Sequence, residues 1–313
     1  MQLKAAEPKT PTRPARRSGA SSQARDRRLG YALASWLGFL PFLLFCLLFE
    51  LLPAVMIVEG SFVDSTTNTL TLTNFQRIFT EADKIHAFQN SISLALISAL
   101  ISTVVGFLAA YGVYNLRGGW LRNLLVGFSS VAANFAGVPL ASAFISTLGV
   151  TGYVTVLLLK WFHVDLYNGL NFSLYSFWGL VIVYCYFLLP LMILITLPAL
   201  EALRPEWREA ATNLGASPFT YWRKVALPVL LPSLIAAAML LFANAFAAFA
   251  TAYSLAQGNI NLVPIQISFV VNGNVSLDPG LGNAMSVGMV LVLIVVVLVY
   301  TAMLRRASKW QGR

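Results

Sequence analysis

The feature that most constrains this chain is a series of long apolar runs that carry almost no charge. Ala284–Leu304 contains no charged residue and holds the unbroken stretch Val287–Val299. About 20 apolar residues cross the hydrocarbon of a bilayer as a helix. On that measure six spans are predicted: Leu33–Val58, bent by Pro41 and Pro53; about Ser91–Tyr114; about Asn123–Leu148, broken near Gly137-Val138-Pro139; about Leu174–Leu197; about Val225–Leu255, opened by Pro228 and Pro232; and Ala284–Leu304. A shorter apolar piece, Tyr153–Leu159, reads as interfacial or re-entrant. The runs are too long, and too free of alternation, for an outer-membrane barrel.

Composition agrees. Of 313 residues 58% are hydrophobic and 11% charged, with a mean hydropathy of +0.74, whereas soluble domains carry about 25% charged residues. The net charge of +9 would fit a nucleic-acid binder only if the basic groups shared one exposed face; here apolar runs separate them, so no nucleic-acid partner is expected. Two cysteines and two histidines are too few for a disulfide framework or a Cys/His zinc site. No metal site is expected.

The basic residues report orientation. Eight lie in residues 1–30, a Pro/Ser/Ala/Arg-rich stretch read as a disordered tail. Two lie between spans two and three (Arg117, Arg122), four between spans four and five (Arg204, Arg208, Arg223, Lys224) and four after span six (Arg305, Arg306, Lys309, Arg313). The alternate loops keep Arg77, Lys84 and Lys160 against six acids. The positive-inside rule then places both termini in the cytoplasm. The chain divides into a basic tail at 1–30, a membrane domain at 31–304 and a short basic C-terminus at 305–313.

The connection between spans four and five, about 201–228, is the one cytoplasmic loop with a built structure. Pro205 suits the first position of a helix, and Glu206 and Glu209 suit its positive end. Trp207, Ala210, Ala211 and Leu214 fall at i, i+3, i+4 and i+7, one narrow apolar stripe. Gly215 ends the helix as a left-handed cap. Ser217-Pro218 opens a second helix carrying Phe219, Tyr221 and Trp222 towards Leu227-Pro228. Such a helix–turn–helix could lie on lipid headgroups, but a headgroup helix has a broad apolar face flanked by Lys and Arg. Small alanines with one Trp suit a groove on a partner protein better.

The string Glu209-Ala210-Ala211-Thr212-Asn213-Leu214-Gly215-Ala216-Ser217-Pro218, followed by Leu227-Pro228, resembles the EAA loop of binding-protein-dependent ABC importer permeases of the type I class. Leu174–Leu180 and Leu200–Leu203 resemble that family too, and the likeness extends over about 33–304. The resemblance implies an all-α permease of six transmembrane helices working by alternating access. It also implies a second permease subunit, two cytoplasmic ATPase subunits and an extracytoplasmic solute-binding protein. Carried over, Glu209, Ala210, Ala211 and Gly215, with Trp207, Leu214 and Pro228, form an amphipathic coupling helix and turn that meet the ATPase. The chain has no phosphate-binding G-x-x-x-x-G-K-[ST] motif, so it is not expected to be an enzyme or to hold a cofactor; ATP and Mg would belong to the partner ATPase.

Ionisable and amide groups within spans are candidate pathway residues. Glu50 reads equally as a carboxylate reaching the outer interface or as a substrate contact. Asn134 and Asn244 are read first as hydrogen bonds between helices and second as ligand contacts. The pattern around Phe246–Thr251 most resembles the spermidine/putrescine group, which grades into iron(III), thiamine and aminophosphonate permeases. A secondary transporter or channel would show inverted repeats and paired intramembrane charges, and neither is found in the sequence.

Overall fold

A computed structural model describes residues 39–116, 119–256, 259–272 and 277–311. The tail at 1–30 lies outside the described residues. The chain divides into two compact units, Met1–Met56 and Ile57–Arg313. Among the described residues there is no strand, only an isolated antiparallel bridge between Val63 and Leu70.

Helix α1 runs over Phe39–Ser61. Then follow α2 (Thr73–Thr80), α3 (Ala82–Asn115), α4 (Trp120–Asn134), α5 (Val138–Leu148), α6 (Tyr153–Phe162), α7 (Phe177–Glu201), α8 (Pro205–Asn213) and α9 (Pro218–Tyr221). The last four are α10 (Leu227–Ala247), α11 (Phe249–Ala256), α12 (Val263–Val271) and α13 (Pro279–Gln311). Six segments are long and apolar enough to cross a membrane: Phe39–Ser61, Ala82–Asn115, Val138–Phe162, Phe177–Glu201, Pro218–Ala247 and Pro279–Met303. The fold is the all-α, six-helix membrane architecture that the hydropathy predicts.

Helices satisfy their own backbone groups, which is why apolar runs in lipid adopt them. Packing between them follows size more than polarity. On α3 the buried positions Ala87, Ser91, Ala95, Ser98, Ala99, Ser102, Gly106 and Ala110 are small, while Leu96, Leu100, Val104 and Leu108 are exposed. Small residues let helix backbones approach closely when lipid is as apolar as Leu. At Gly106 a Cβ would stand 2.7 Å from the Met192 Cβ on α7. Helix α7 is central: Tyr184, Phe187, Leu188 and Met192 are fully enclosed, and Leu234, Leu241 and Phe246 of α10 close on the same core.

Three boundaries differ from those expected. Helix α3 begins at Ala82, well before Ser91, because its polar first turns find partners. Asn90 Nδ2 donates to the Asn261 carbonyl at 3.0 Å, and Ser91 Oγ accepts the Val263 amide at 2.9 Å. The third predicted span, Asn123–Leu148, is broken near Gly137 as expected, but the stretch of spanning length begins after the break instead of at Asn123. Gly137 takes φ +77° and Pro139 follows it, so α4 ends at Asn134 and packs against α7. The third apolar segment of spanning length is α5 with α6, Val138–Phe162, which absorbs the piece expected to be interfacial. The fifth predicted span, Val225–Leu255, is two helices, α10 and α11, parted at Ala248 (ψ 86°).

Contacts along α3 define two ends of the bundle. At one, Lys84, Asn90 and Ser91 meet the 261–266 segment. Here α2 is tied to the start of α13, where Arg77 Nη1 donates to Asp278 Oδ2 at 2.5 Å and Ser65 Oγ donates to Asp278 Oδ1 at 2.6 Å. At the other, Phe107 and Tyr111 meet the segment that follows α8.

Candidate functional site

The loop 201–228 folds as its sequence directs. Arg204 is the N-cap of α8 in extended conformation, and Pro205 fills the first helical position. Gly215 adopts φ +78°. Its amide donates to the Thr212 carbonyl at 2.9 Å, and the Ala216 amide donates to the Ala211 carbonyl at 2.9 Å. This pair of bonds is a Schellman cap, and its left-handed residue is one that glycine adopts without strain. Ser217 then caps α9, its Oγ accepting the Thr220 amide at 3.2 Å.

The single apolar stripe expected on α8 divides into two. Trp207 and Ala211 are half-buried and pack on the core, whereas Ala210 and Glu209 are exposed and Leu214 is 88% exposed. Phe219, beyond the turn, is 73% exposed. The division follows from the i, i+4 geometry: 207 and 211 lie on one edge, 210 and 214 on the next. One edge anchors the helix, and the other presents an apolar pair with a carboxylate beside it.

The anchor has side chains that sequence reasoning left unassigned. Tyr221 is buried, and Trp222 stands edge-on to Tyr111 (centroids 5.0 Å) and Phe107 (6.2 Å). Tyr111 in turn stacks with Tyr114 at 6.5 Å. The signal was present: Phe107, Tyr111 and Tyr114 fall at i, i+4 and i+7, one face of span two. Arg122, at the start of α4, pairs with Glu201, the last residue of α7. The Arg204 guanidinium lies 6.0 Å from the Trp207 ring centroid. Residues 222–226 form a π turn closed by the Leu227 amide on the Trp222 carbonyl, just before Pro228. Proline lacks the N–H that would continue the ladder, and the wider turn carries the chain into α10. A second π turn, Leu47–Leu51, precedes Leu52-Pro53 in the same way.

The two broken crossings meet. The Gly137 amide, freed where α4 ends, donates to Thr251 Oγ1 on α11 at 2.8 Å. Tyr184, 1% exposed, donates its hydroxyl to the Ala248 carbonyl at 2.8 Å across the α10–α11 break. Irregular backbone is tolerated at membrane depth where protein or a cavity satisfies it.

Neither Asn134 nor Asn244 bonds to another helix among the described residues. Asn134 Nδ2 turns back to the Ser130 carbonyl of its own helix at 2.9 Å, and Asn244 is exposed and makes no hydrogen bond among the described residues. Both stand within about one turn of a break, where the neighbouring helix bends away. Glu50 is exposed within the π turn of α1, in the unit ending at Met56.

Residues 102–311 match the family described as binding-protein-dependent transport system inner membrane component. The chain belongs to that family. It is a permease subunit of an ABC importer and a multi-pass protein of the bacterial inner membrane. It is 23% identical over 265 residues to the spermidine/putrescine transport system permease protein PotC of Shigella flexneri, covering 83% of this chain and 91% of that one. It is 30% identical over 194 residues to the trehalose transport system permease protein SugB of Mycobacterium tuberculosis, 62% of each chain. A chain of a bacterial ABC transporter involved in the import of the acidic polysaccharide alginate superposes with a TM-score of 0.70 at 17% identity, covering 91% of this permease and 99% of that chain. That likeness is one of fold.

Proposed function

We infer that residues 205–228 are the docking element through which a cytoplasmic ATPase drives this permease. The observation that carries the reading is the two-edged α8. Trp207 and Ala211 hold it to the bundle, while Glu209, Ala210, Leu214 and Phe219 face away from it. A helix so held moves as a body when its outer edge is gripped. Motion would pass through Trp222 to Phe107 and Tyr111 on α3, and through Pro228 to α10. The outer edge offers an apolar knob, a small residue for close approach and a carboxylate for a basic partner group. The positive-inside distribution supports placing this end, and both termini, in the cytoplasm.

The same reading pairs the permease with a second permease subunit, identical or homologous, with two ATPase subunits and with an external solute-binding protein. The solute class that fits best is a polyamine. The likeness to PotC extends over most of both chains, and exposed carboxamide oxygens at Asn134 and Asn244 suit a cationic amine; Glu50 is a separate candidate contact. A sugar is the second reading, supported by the identity with SugB.

Uptake of labelled spermidine by cells carrying the whole transporter tests both parts. Gly215→Asp, or bulky residues at Glu209 and Ala210 together, should abolish uptake while the permease still inserts and co-purifies with its partner permease. Unchanged uptake would remove the coupling assignment. Uptake of trehalose but not spermidine would replace the cargo.

A further inference from the structure

At the α8 end of the bundle, Arg122 Nη2 donates to Glu201 Oε1, which joins the first turn of α4 to the last residue of α7. Both charges stand at helix ends that disfavour them. A helix carries partial positive charge at its N-terminus and partial negative charge at its C-terminus. The guanidinium opens α4 at the positive end, and the carboxylate closes α7 at the negative end. The two side chains are 30% and 47% exposed, and an ion pair so open to water adds little to stability. Neither the dipoles nor stability accounts for the pair. What it fixes is where α4 stands.

Glu201 also begins the stem of the coupling segment, and that stem is tight. The Ala202 amide donates to the Pro198 carbonyl at 3.0 Å and the Leu203 amide to the Leu200 carbonyl at 3.2 Å, while Leu200 and Leu203 are buried. The Trp207 amide then donates to the Arg204 carbonyl at 3.2 Å. The Glu201 carboxylate is therefore held close to the start of α8. Helix α4 is held lightly along its length: Ser129 and Ala132 are its buried residues, and the Asn134 side chain bonds within its own helix. It is fastened at its ends. Arg122 ties one end to the stem. At the other, beyond Asn134 and about 18 Å along the axis from Arg122, the Gly137 amide donates to Thr251 Oγ1 at 2.8 Å.

We propose that Arg122 and Glu201 are a positioning pair for transport. They tie α4 to the stem of α8, so that displacement of the coupling helix carries α4 with it and reaches the helix break at Gly137 and Thr251. This is a second route beside that through Trp222 and α3, and it rests on the reading of residues 205–228 as the ATPase-docking element.

The test uses the whole transporter in proteoliposomes, with ATP hydrolysis and uptake of labelled spermidine, or of labelled trehalose where that is the solute moved, measured together. Arg122→Glu and Glu201→Arg each set like charges face to face, and each should lower the solutes moved per ATP hydrolysed several-fold. The reversed pair, Arg122→Glu with Glu201→Arg, should bring that ratio back to the native value. Its Tm should equal or exceed the native one, because each charge then suits its helix end. Where a like-charge variant does not assemble, Arg122→Gln and Glu201→Gln should lower the ratio in the same direction. A native ratio in variants that lack the pair, or a reversed pair as poorly coupled as the single variants, would overturn the proposal. So would a fall in Tm with the ratio intact, the mark of a merely structural role. Gly215→Asp separates the two readings. Uptake lost there, with native ratios in the pair variants, removes the pair and leaves the docking element; uptake unchanged there removes the docking element itself and the route built on it.

Discussion

The Tyr184 hydroxyl donates to the Ala248 carbonyl at 2.8 Å and so closes, from the centre of α7, the gap between α10 and α11. A carbonyl left without its helical partner inside a bilayer has no water to turn to. Tyr184→Phe keeps the ring and removes the bond. It should lower stability by about 1–3 kcal/mol, the cost of a buried group left unsatisfied, read as a fall in Tm in detergent. Tyr186→Phe, whose hydroxyl makes no hydrogen bond among the described residues, should leave Tm unchanged.

Two glycines on α3 should respond in opposite ways. A Cβ at Gly106 would meet the Met192 Cβ at 2.7 Å and the Leu189 carbonyl oxygen at 3.3 Å, whereas nothing lies within 4 Å of one at Gly112. The atoms facing Gly106 belong to or adjoin the α7 backbone, so the helices must part. Gly106→Ala should destabilise by about 1–3 kcal/mol through overpacking. Gly112→Ala should be neutral or stabilising by about 0.5–1 kcal/mol, because alanine is the better helix former. Thermal unfolding of the two variants checks the contrast.

Trp222 is the side chain that joins the coupling segment to α3. Trp222→Ala should cost about 2–3 kcal/mol, less than a fully enclosed tryptophan would, and should lower solutes moved per ATP hydrolysed. Trp222→Phe should keep most of the coupling. The readout is the ratio of uptake to ATP hydrolysis in proteoliposomes, which a purely structural loss would not change.

At the opposite end, Asp278 joins α13 to α2. Burial works against its charge, but hydrogen bonds from Ser65 and Arg77, and the nearby guanidinium, hold its carboxyl below the ordinary value of 3.8. A carboxyl depressed on folding contributes stability that is complete above its unfolded value and is lost as pH falls through its folded value. The junction should therefore hold above about pH 4 and loosen below it. Hydrogen exchange in residues 62–80, followed from pH 6 to pH 3, should show that acid-dependent loss, and Asp278→Asn should remove most of the pH dependence.

Much of this protein was legible in its sequence because lipid imposes simple rules. Uncharged runs of spanning length become helices, and Pro205, Gly215, Ser217 and Pro228 mark local geometry that needs no distant partner. The capped turn at Gly215 forms as its residues direct, since a left-handed position and a Schellman pair are made within a few residues of chain. What the sequence could not show is which face of each helix turns inward. In α3 the hydropathy alone does not tell the faces apart: the buried one carries the small residues, Ser98 and Gly106 among them, and Leu100 and Leu108 face out. Tertiary packing also decided what the helix breaks bond to. The break near Gly137 is legible in Gly137-Val138-Pro139, but the bond of its amide to Thr251 is not, nor is the bond from Tyr184 to the Ala248 carbonyl where α10 and α11 part. Those partners lie more than 60 residues away in sequence. No local pattern specifies such a bond, because it exists only when the helices have already come together.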